Sequence, residues 1–540
     1  MNFTPPLYDR CKRVVINNLR LVVKPITCQS AFFVLLFVLL NVPDLYSLTV
    51  HHSFIPFFKA SFGLVFCYIL ALPVLFLTAT FRKIYKSLLL LFASLFFIVD
   101  IFLLLLYNDT LATITKDAVS ALLATNPVES AEYLKTYFTV DVLLVVSTFV
   151  SVVLLMFYYL RDLRLRCNRI AVCTIFVLLS ISVIMTINRC EKIKDCNLYY
   201  LLTKECPDLR EYMQNPSVLD SEEQVENIVL VIGESFSKFH SSLYGYKKET
   251  NPLLSKLQND SSLYVYENVT SACVTTIPSI KSIMLSYTNE KSDSIEWYKY
   301  LSLIEVMQKV GYRTFWFSNQ SKTGFYDNEV GRFADICDEQ LFIGDKHSGM
   351  ARDTKDEELL PIVKECMIES HSKRFIIVQM MGSHAEYNKR YPSNFSRFRC
   401  DDYIDEYPLY TQEKRQIMAE YDNTVLYNDS VVYELINILQ RESAVVVYLS
   451  DHGEDVFRSS EDYCGHASEL DERHWRVVRQ IPLLVYTSEL FREKHPELQK
   501  RIEGAVNRPY RTDSIMYTIM DIAGVETVNG VSYKQKSLFK

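Results

Sequence analysis

The feature that most limits what this chain can become is a series of long apolar runs confined to its first two hundred positions. Five stretches, Cys28 to Leu45, Ile55 to Thr78, Leu88 to Tyr107, Val140 to Leu160 and Ile170 to Ile187, are long and apolar enough to cross a bilayer. Runs such as "SLLLLFASLFFIVDIFLLLLY" are apolar on every face, whereas a helix in a soluble core keeps a polar stripe. A five-helix transmembrane domain is therefore expected over residues 1–189. No cleavable signal peptide precedes the first span, which is expected to serve as the signal anchor.

Basic residues set the orientation. Arg10, Lys12, Arg13, Arg20 and Lys24 precede the first span, Arg82, Lys83 and Lys86 lie in the second loop, and Arg161, Arg164, Arg166 and Arg169 in the fourth. Those segments belong on the cytoplasmic side. Five crossings then put everything after Ile187 on the outer side, together with the loop from Asn108 to Phe138. The whole chain carries 57 basic and 64 acidic residues, a net charge of -7, which is too mild for a nucleic-acid surface.

Residues 190–222, "CEKIKDCNLYYLLTKECPDLREYMQNPSVLDSE", are too polar for a span and read as an interfacial bridge, with Tyr199 and Tyr200 suited to a membrane surface. From 223 to 540, apolar β-rich runs alternate with helical patterns. The strands are "NIVLVI", "RTFWFSN", "RFIIVQMM", "AVVVYLS" and "IPLLVYT"; the helices include "YLSLIEVMQKVG", stopped by Gly311, and "MAEYDNTVLYNDSVVYELINILQ". That alternation predicts an α/β domain around a largely parallel sheet. Eight of the 13 cysteines, Cys190, Cys196, Cys206, Cys273, Cys337, Cys366, Cys400 and Cys464, fall in the outer half, where an even number permits disulfides; Cys190 with Cys196 or Cys206 is the local pairing.

In open α/β sheets, function gathers beyond the carboxyl ends of the strands. Three strands end there in residues of one chemical kind: Glu234 after "NIVLVIG", His384 at the end of "FIIVQMMGSH", and Asp451 and His452 after "AVVVYLS". Carboxylates with imidazole are ligands for a divalent metal, and the mixed oxygen and nitrogen set suits zinc, with manganese second. In "NVTSACVTTIPSIKSIMLSY", Thr275 or Thr276 stands at the start of a helix just before Pro278. The unpaired N–H groups of a helix start bind phosphate oxygens, and a nearby metal lowers a hydroxyl's pKa, so the arrangement fits phosphoryl transfer.

These residues resemble the bacterial membrane-bound phosphoethanolamine transferases of the alkaline phosphatase and sulfatase superfamily. The resemblance is carried by "VIGES" (231–235), "SLYGYKKETNP" (242–252), "MGSHAEYNKRYP" (381–392), "YDNTVLYNDSVV" (421–432) and "SDHGED" (450–455), and it covers nearly the whole chain. It implies a sulfatase-like periplasmic domain on an inner-membrane anchor of five spans. It also implies a catalytic zinc held by Glu234, Asp451 and His452 together with the nucleophilic threonine, which the helix start "TIPSIKSIML" aligns as Thr276 and a count from "NVTS" aligns as Thr275. His384 resembles the family's substrate-site histidine, and His466 in "YCGHASE" the histidine downstream of "DHGE", with His474 in "ERHW" as competitor. "ATNPVESAEYL" (124–134) is similar to the family's head-group loop, making Thr125 and Glu129 the implied contacts, while Ala121 stands where some members have Asn.

The implied reaction takes phosphoethanolamine from phosphatidylethanolamine, through a covalent phosphoethanolamine-threonine, to a lipopolysaccharide core or lipid A. The "SVPCMFS" segment and cysteine pairs of the lipid A-modifying members are absent, which brings the chain nearer the branch that modifies core or other glycans. Alternatives are a phosphoglycerol transferase resembling lipoteichoic acid synthase and a non-catalytic membrane receptor or scaffold. A sulfatase proper needs Pro two positions after its Cys or Ser; Cys273 has Thr275 there.

Overall fold

The structure, a computed structural model, describes parts of the first two hundred residues, chiefly 31–40, 77–107 and 140–158, and most of 208–540 apart from 287–295, 323–328, 345–353, 369–372 and 467–471. The chain divides into two compact units, the larger of which holds Lys204–Lys540.

In the smaller unit, two of the five apolar runs are seen as helices, α1 (Ala79–Tyr107) and α2 (Val140–Tyr158). Their buried sides meet through Leu90, Ala93, Phe97, Val145, Val152 and Met156. Their outward sides are also apolar: Leu88, Leu91, Leu95 and Ile98 on α1, and Leu143, Leu144, Leu154 and Phe157 on α2, are each more than half exposed. Among the described residues no helix is long and apolar enough to cross a membrane. Of the first expected span, residues 31–36 and 38–40 are helical, with Phe32, Phe33 and Leu36 in the same core; the second and fifth expected spans lie almost wholly outside the described residues.

The larger unit is built on a seven-stranded sheet. Its strands are β1 (Asn227–Gly233), β2 (Leu263–Val265), β3 (Arg313–Ser318), β4 (Glu339–Phe342), β5 (Arg374–Gln379), β6 (Ala444–Ser450) and β7 (Leu483–Thr487), in the order β2-β7-β6-β1-β5-β3-β4. All five strands read from the sequence are present, and the edge strands β2 and β4 are additional. The neighbours β6, β1, β5, β3 and β4 run parallel, whereas β7 is antiparallel to both β6 and β2. The sheet is therefore mixed, with one reversed strand.

The central strands bury both faces, which is why they read as unbroken apolar runs. Ile228, Leu230 and Ile232 of β1 enter one core with Ile280, Ile283 and Met284 of α3 (Thr276–Met284). Val229 and Val231 enter the other with Val425, Val432, Leu435 and Ile436 of α4 (Gln412–Leu439). Burying one such side chain is worth about 1.5–3 kcal/mol. The expected helix before Gly311 is Leu303–Lys309, started by a capping box of Ser302 and Glu305, with Gly311 at φ +86° beyond its end.

Part of the expected bridge belongs to this unit. Leu209 is in its core, Arg210 donates to Asp335 O at 2.7 and 3.0 Å, and Val218–Asp220 pairs with Val525–Val528. Residues 190–207 lie outside the described residues, as do Cys190, Cys196 and Cys206. The five described cysteines of the unit form no disulfide with one another.

Candidate active site

Register builds the site. Gly233 of β1 stands opposite Ser450 of β6, and Ile232 opposite Gln379 of β5, so the next residues of three parallel strands leave the sheet at one level. Asp451 N donates to Gly233 O at 3.0 Å, Met380 N to Ile232 O at 2.9 Å and Ser383 N to Glu234 O at 2.9 Å. Glu234, Asp451 and His452 are thereby brought together from positions more than two hundred residues apart. All three are buried, and one ligand atom from each lies within 4.8 Å of the others.

The backbone is shaped for this meeting. Ser235 adopts φ +60°, a conformation an L-residue holds only when its surroundings over-determine it. Here Tyr421 of α4 donates from its hydroxyl to Ser235 O at 2.7 Å and accepts from Ser237 N at 2.8 Å, while Ser235 N donates to Asp451 Oδ1 at 3.3 Å. Gly382, at φ +56°, lets the β5 loop pass against Glu234, since a Cβ there would meet Glu234 O at 2.5 Å.

Thr276 is the first residue of α3, and its Oγ1 lies 3.3 and 3.2 Å from the two oxygens of Glu234 and 3.4 Å from His452 Nε2. Thr275 is the extended residue before the helix and makes no side-chain cap, although Ser279 N donates to its carbonyl. The structure thus brings Thr276, not Thr275, onto the carboxylate and imidazole. Pro278 lacks an N–H at a position where a helix has no acceptor to offer one, so it costs the helix nothing.

The three buried groups carry mutually dependent charge. Burial pushes Asp451 well above the carboxylate range, reinforced by the charge of Glu234. Burial acts in the same direction on Glu234, but the charge and hydrogen bond of His452 outweigh it and hold that carboxyl low. Burial would lower His452, yet Asp451 and Glu234 raise it to about 10. Two carboxyls and an imidazole are the donor types that a divalent metal takes. The set fits a divalent metal on two further observations: Asp451 Oδ2 is buried without a hydrogen-bond partner among the described residues, and His452 Nδ1 sits 2.9 Å from Gly453 O, directing Nε2 to the carboxylates.

His466 is beside this set. Its ring centroid is 4.1 Å from that of His452, and its Nδ1 is 2.6 Å from Glu454 Oε2, so His452, Glu454 and His466 form a second group of metal-type ligands. Tyr387 holds the other Glu454 oxygen at 2.7 Å. His474, its competitor, packs on Tyr463 at 4.8 Å in the helix Glu472–Val478 instead. His384 lies on the β5 loop, near enough for its charge to depress Glu234. Thr125, Glu129 and Ala121 lie outside the described residues.

Sequence reasoning missed Gln320. It follows the end of β3, donates to Glu234 Oε2 at 3.1 Å and to Met380 O at 3.1 Å, and accepts from Gln379 at 2.9 Å. The same strand-end rule that found Glu234 would have found it, because "RTFWFSNQ" also ends in polar residues. Asp356 was missed as well; it accepts from Met381 N, Gly382 N and Asn319 Nδ2 at 2.8–3.0 Å, tying the β5 loop to the end of β3. The family motifs prove to be partners of one another. Asp422 of "YDNTVLYNDSVV" accepts from Tyr246 OH at 2.8 Å and Tyr403 OH and lies 2.6 Å from His240 Nδ1, and Asp429 caps the helix Pro252–Asn259 through Leu253 N and Leu254 N at 2.9 and 3.0 Å.

The chain is similar to known proteins over most of its length. The phosphoethanolamine transferase EptC of Escherichia coli K12 is 28% identical over 437 residues, covering 74% of each chain. The crystal structure of the C-terminal periplasmic domain of Escherichia coli EptC in complex with zinc is 30% identical, with a TM-score of 0.54 over 61% of this chain and 89% of that one. The integral membrane phosphoethanolamine transferase EptA of Neisseria meningitidis, 17% identical, shares the fold over 96% of both chains with a TM-score of 0.58. Residues 226–525, more than half of the chain and including Glu234, Thr276, Asp451 and His452, match the family model described as Sulfatase, and the chain belongs to that family.

Proposed function

We propose that this protein is a zinc-dependent phosphoethanolamine transferase of the bacterial inner membrane. It moves phosphoethanolamine from phosphatidylethanolamine to an outer glycolipid, lipopolysaccharide core or lipid A. The observation that carries this reading is the approach of the Thr276 hydroxyl to Glu234 and His452 at a helix start; the likeness to EptC supports the substrate class. Glu234, Asp451, His452 and Thr276 would hold the zinc, which when bound lowers the hydroxyl's pKa and offsets charge on phosphate oxygens.

The chain's own groups do the rest. Thr276 Oγ1 forms a bond to phosphorus as the bond to diacylglycerol breaks, and diacylglycerol leaves as the alcohol with a proton. Glu234 and His452 flank the hydroxyl and orient it, and the first N–H groups of α3 receive the phosphate oxygens. His384 and His466 contact the incoming phosphate, and Thr125 with Glu129 the ethanolamine head group. An acceptor hydroxyl or phosphate then attacks the phosphoethanolamine-threonine and restores Thr276.

The membrane part of the reading is five spans over 1–189, an interfacial bridge within 190–222 and a periplasmic catalytic domain. Its support is the apolar runs and the largely apolar outward faces of α1 and α2. Incubation of the purified protein with phosphatidylethanolamine and zinc should release diacylglycerol and leave a phosphoethanolamine adduct on the Thr276 peptide by mass spectrometry. A phosphoglycerol adduct from phosphatidylglycerol would replace this reading with the lipoteichoic acid synthase-like one, and no adduct or turnover would make the protein a receptor or scaffold.

A further inference from the structure

Ser235 is the pivot at which the chain leaves Glu234, and its three polar groups are unequally placed. Its N–H donates to Asp451 Oδ1 at 3.3 Å and its hydroxyl to Glu234 Oε1 at 3.0 Å, so two of them bond to the ligand carboxylates themselves. Among the described residues, only its carbonyl reaches a group outside that set, the Tyr421 hydroxyl at 2.7 Å. The same hydroxyl accepts from Ser237 N at 2.8 Å, so one phenol from α4 closes the turn over 235–237.

That phenol is a fixed point. Tyr421 is fully buried, with its ring edge-to-face with His240 at 4.9 Å and with Tyr387 at 5.1 Å. Both neighbours are tied in turn: His240 Nδ1 lies 2.6 Å from Asp422 Oδ1, and Tyr387 donates to Glu454 Oε1 at 2.7 Å. Through Tyr387 the same ring backs the second ligand group, since Glu454 also meets His466 Nδ1 at 2.6 Å. Burial pushes the Tyr421 phenol well above its ordinary range, so it keeps the proton that it donates to Ser235 O.

We propose that Tyr421 is a positioning residue of the site: its hydroxyl holds Ser235 at φ +60° and thereby aims the Glu234 carboxylate at Thr276 Oγ1 and at the place of the metal. The role of Glu234 once aimed rests on the metal-site reading above. Tyr421 acts through the backbone alone. Without its hydroxyl, Ser235 O and Ser237 N are left buried and unpaired, and an L-residue at positive φ is free to relax to the negative side. That relaxation turns the Ser235 N–H away from Asp451 and the adjoining Glu234 carboxylate away from Thr276.

The test measures zinc affinity of the full-length protein in detergent by chelator competition. Tyr421→Phe should bind zinc about 10–100-fold more weakly, the loss typical of a group that orients a ligand. Tyr312→Phe is the control: it also deletes a buried phenol bond, to Val225 O at 2.6 Å, but ahead of β1 and β3, at the opposite ends of the strands, and should bind zinc like wild type. Glycine holds positive φ without support, so on a Ser235→Gly background the Tyr421→Phe loss should shrink to about threefold or less. Wild-type affinity in Tyr421→Phe, an equal loss in Tyr312→Phe, or an undiminished loss on the glycine background overturns the proposal. Should Tyr421→Phe not fold, Ser235→Ala and Ser235→Gly decide: both lack the hydroxyl, and with Tyr421 in place they should bind zinc alike, whereas weaker binding by Ser235→Ala means that Tyr421 does not hold the turn. If wild type binds no zinc, the metal reading fails, and crystal structures of wild type and Tyr421→Phe still decide the positioning: Ser235 out of the left-handed region with Glu234 off Thr276 Oγ1 supports it, and an unchanged turn overturns it.

Discussion

Gly382→Ala tests whether the loop after β5 holds Glu234 in place. A Cβ at Gly382 would meet Glu234 O at 2.5 Å, Glu234 N at 2.8 Å and Glu234 Cβ at 3.1 Å, with φ at +56°. The left-handed conformation costs a residue with a Cβ about 1–2 kcal/mol. The contacts are too close for side-chain adjustment to relieve, because two are with backbone, so the loop must shift. That shift breaks the Ser383 N to Glu234 O bond of 2.9 Å or pulls Met381 N and Gly382 N from Asp356, adding about 1–3 kcal/mol for a buried group left unpaired. The expected loss is about 2–5 kcal/mol in denaturant unfolding of the full-length protein. Gly245→Ala is the control: its φ is +84° but nothing lies within 4 Å of the added Cβ, so it bears the conformational cost alone. Zinc affinity, measured by chelator competition, should fall about 10–100-fold for Gly382→Ala, as for a lost supporting contact, and stay unchanged for Gly245→Ala. If Gly382→Ala unfolds together with the control and binds zinc like wild type, the loop does not position Glu234.

Three further outcomes are expected. Glu234→Gln keeps the fold and membrane insertion but loses zinc affinity and diacylglycerol release by about 100-fold, read by metal analysis and a phosphatidylethanolamine turnover assay. Gln320→Ala removes the donors to Glu234 and Met380 O, so zinc affinity should drop about tenfold while stability changes by only about 1 kcal/mol; unchanged affinity would reduce Gln320 to a loop contact. Asp429 has its pKa raised to about 7, by burial first and against the pull of the Leu253 and Leu254 N–H groups. The folded state therefore binds the proton more tightly than the unfolded chain, and the stability this contributes is full below about pH 4 and lost as pH rises through about 7. Asp429→Asn should flatten that slope, compared by urea midpoints at pH 4.5 and 7.5; parallel slopes would contradict it.

The sheet was legible where apolar β-branched runs were long. "NIVLVI" and "AVVVYLS" face two cores at once, and burial on both sides leaves no ambiguity of type. "LYV" at 263–265 and "EQLF" at 339–342 were missed because edge strands of three and four residues bury too little to imprint a pattern. The reversal of β7 was invisible, since "IPLLVYT" has the same apolar content in either direction. Glu234, Asp451 and His452 could be read because strand ends fix position along the sheet without any knowledge of contacts. Thr275 and Thr276 could not be separated that way: they differ by one step of helix phase, which only the packing of α3 decides. Asp356 and Gln320 act through loops whose paths no local pattern encodes.

Glu234, Asp451 and His452 hang on β1 and β6, each flanked by partners on both sides, while the sheet's margins are the short β2 and β4. In native-state amide exchange, such margins open by partial unfolding at a fraction of the global free energy, and central strands exchange only when the whole unit opens. Amide exchange at Val229, Val231, Val446 and Val447 should then share one slow rate that reports the unfolding of the whole unit, insensitive to fraying at Tyr264 or Leu341.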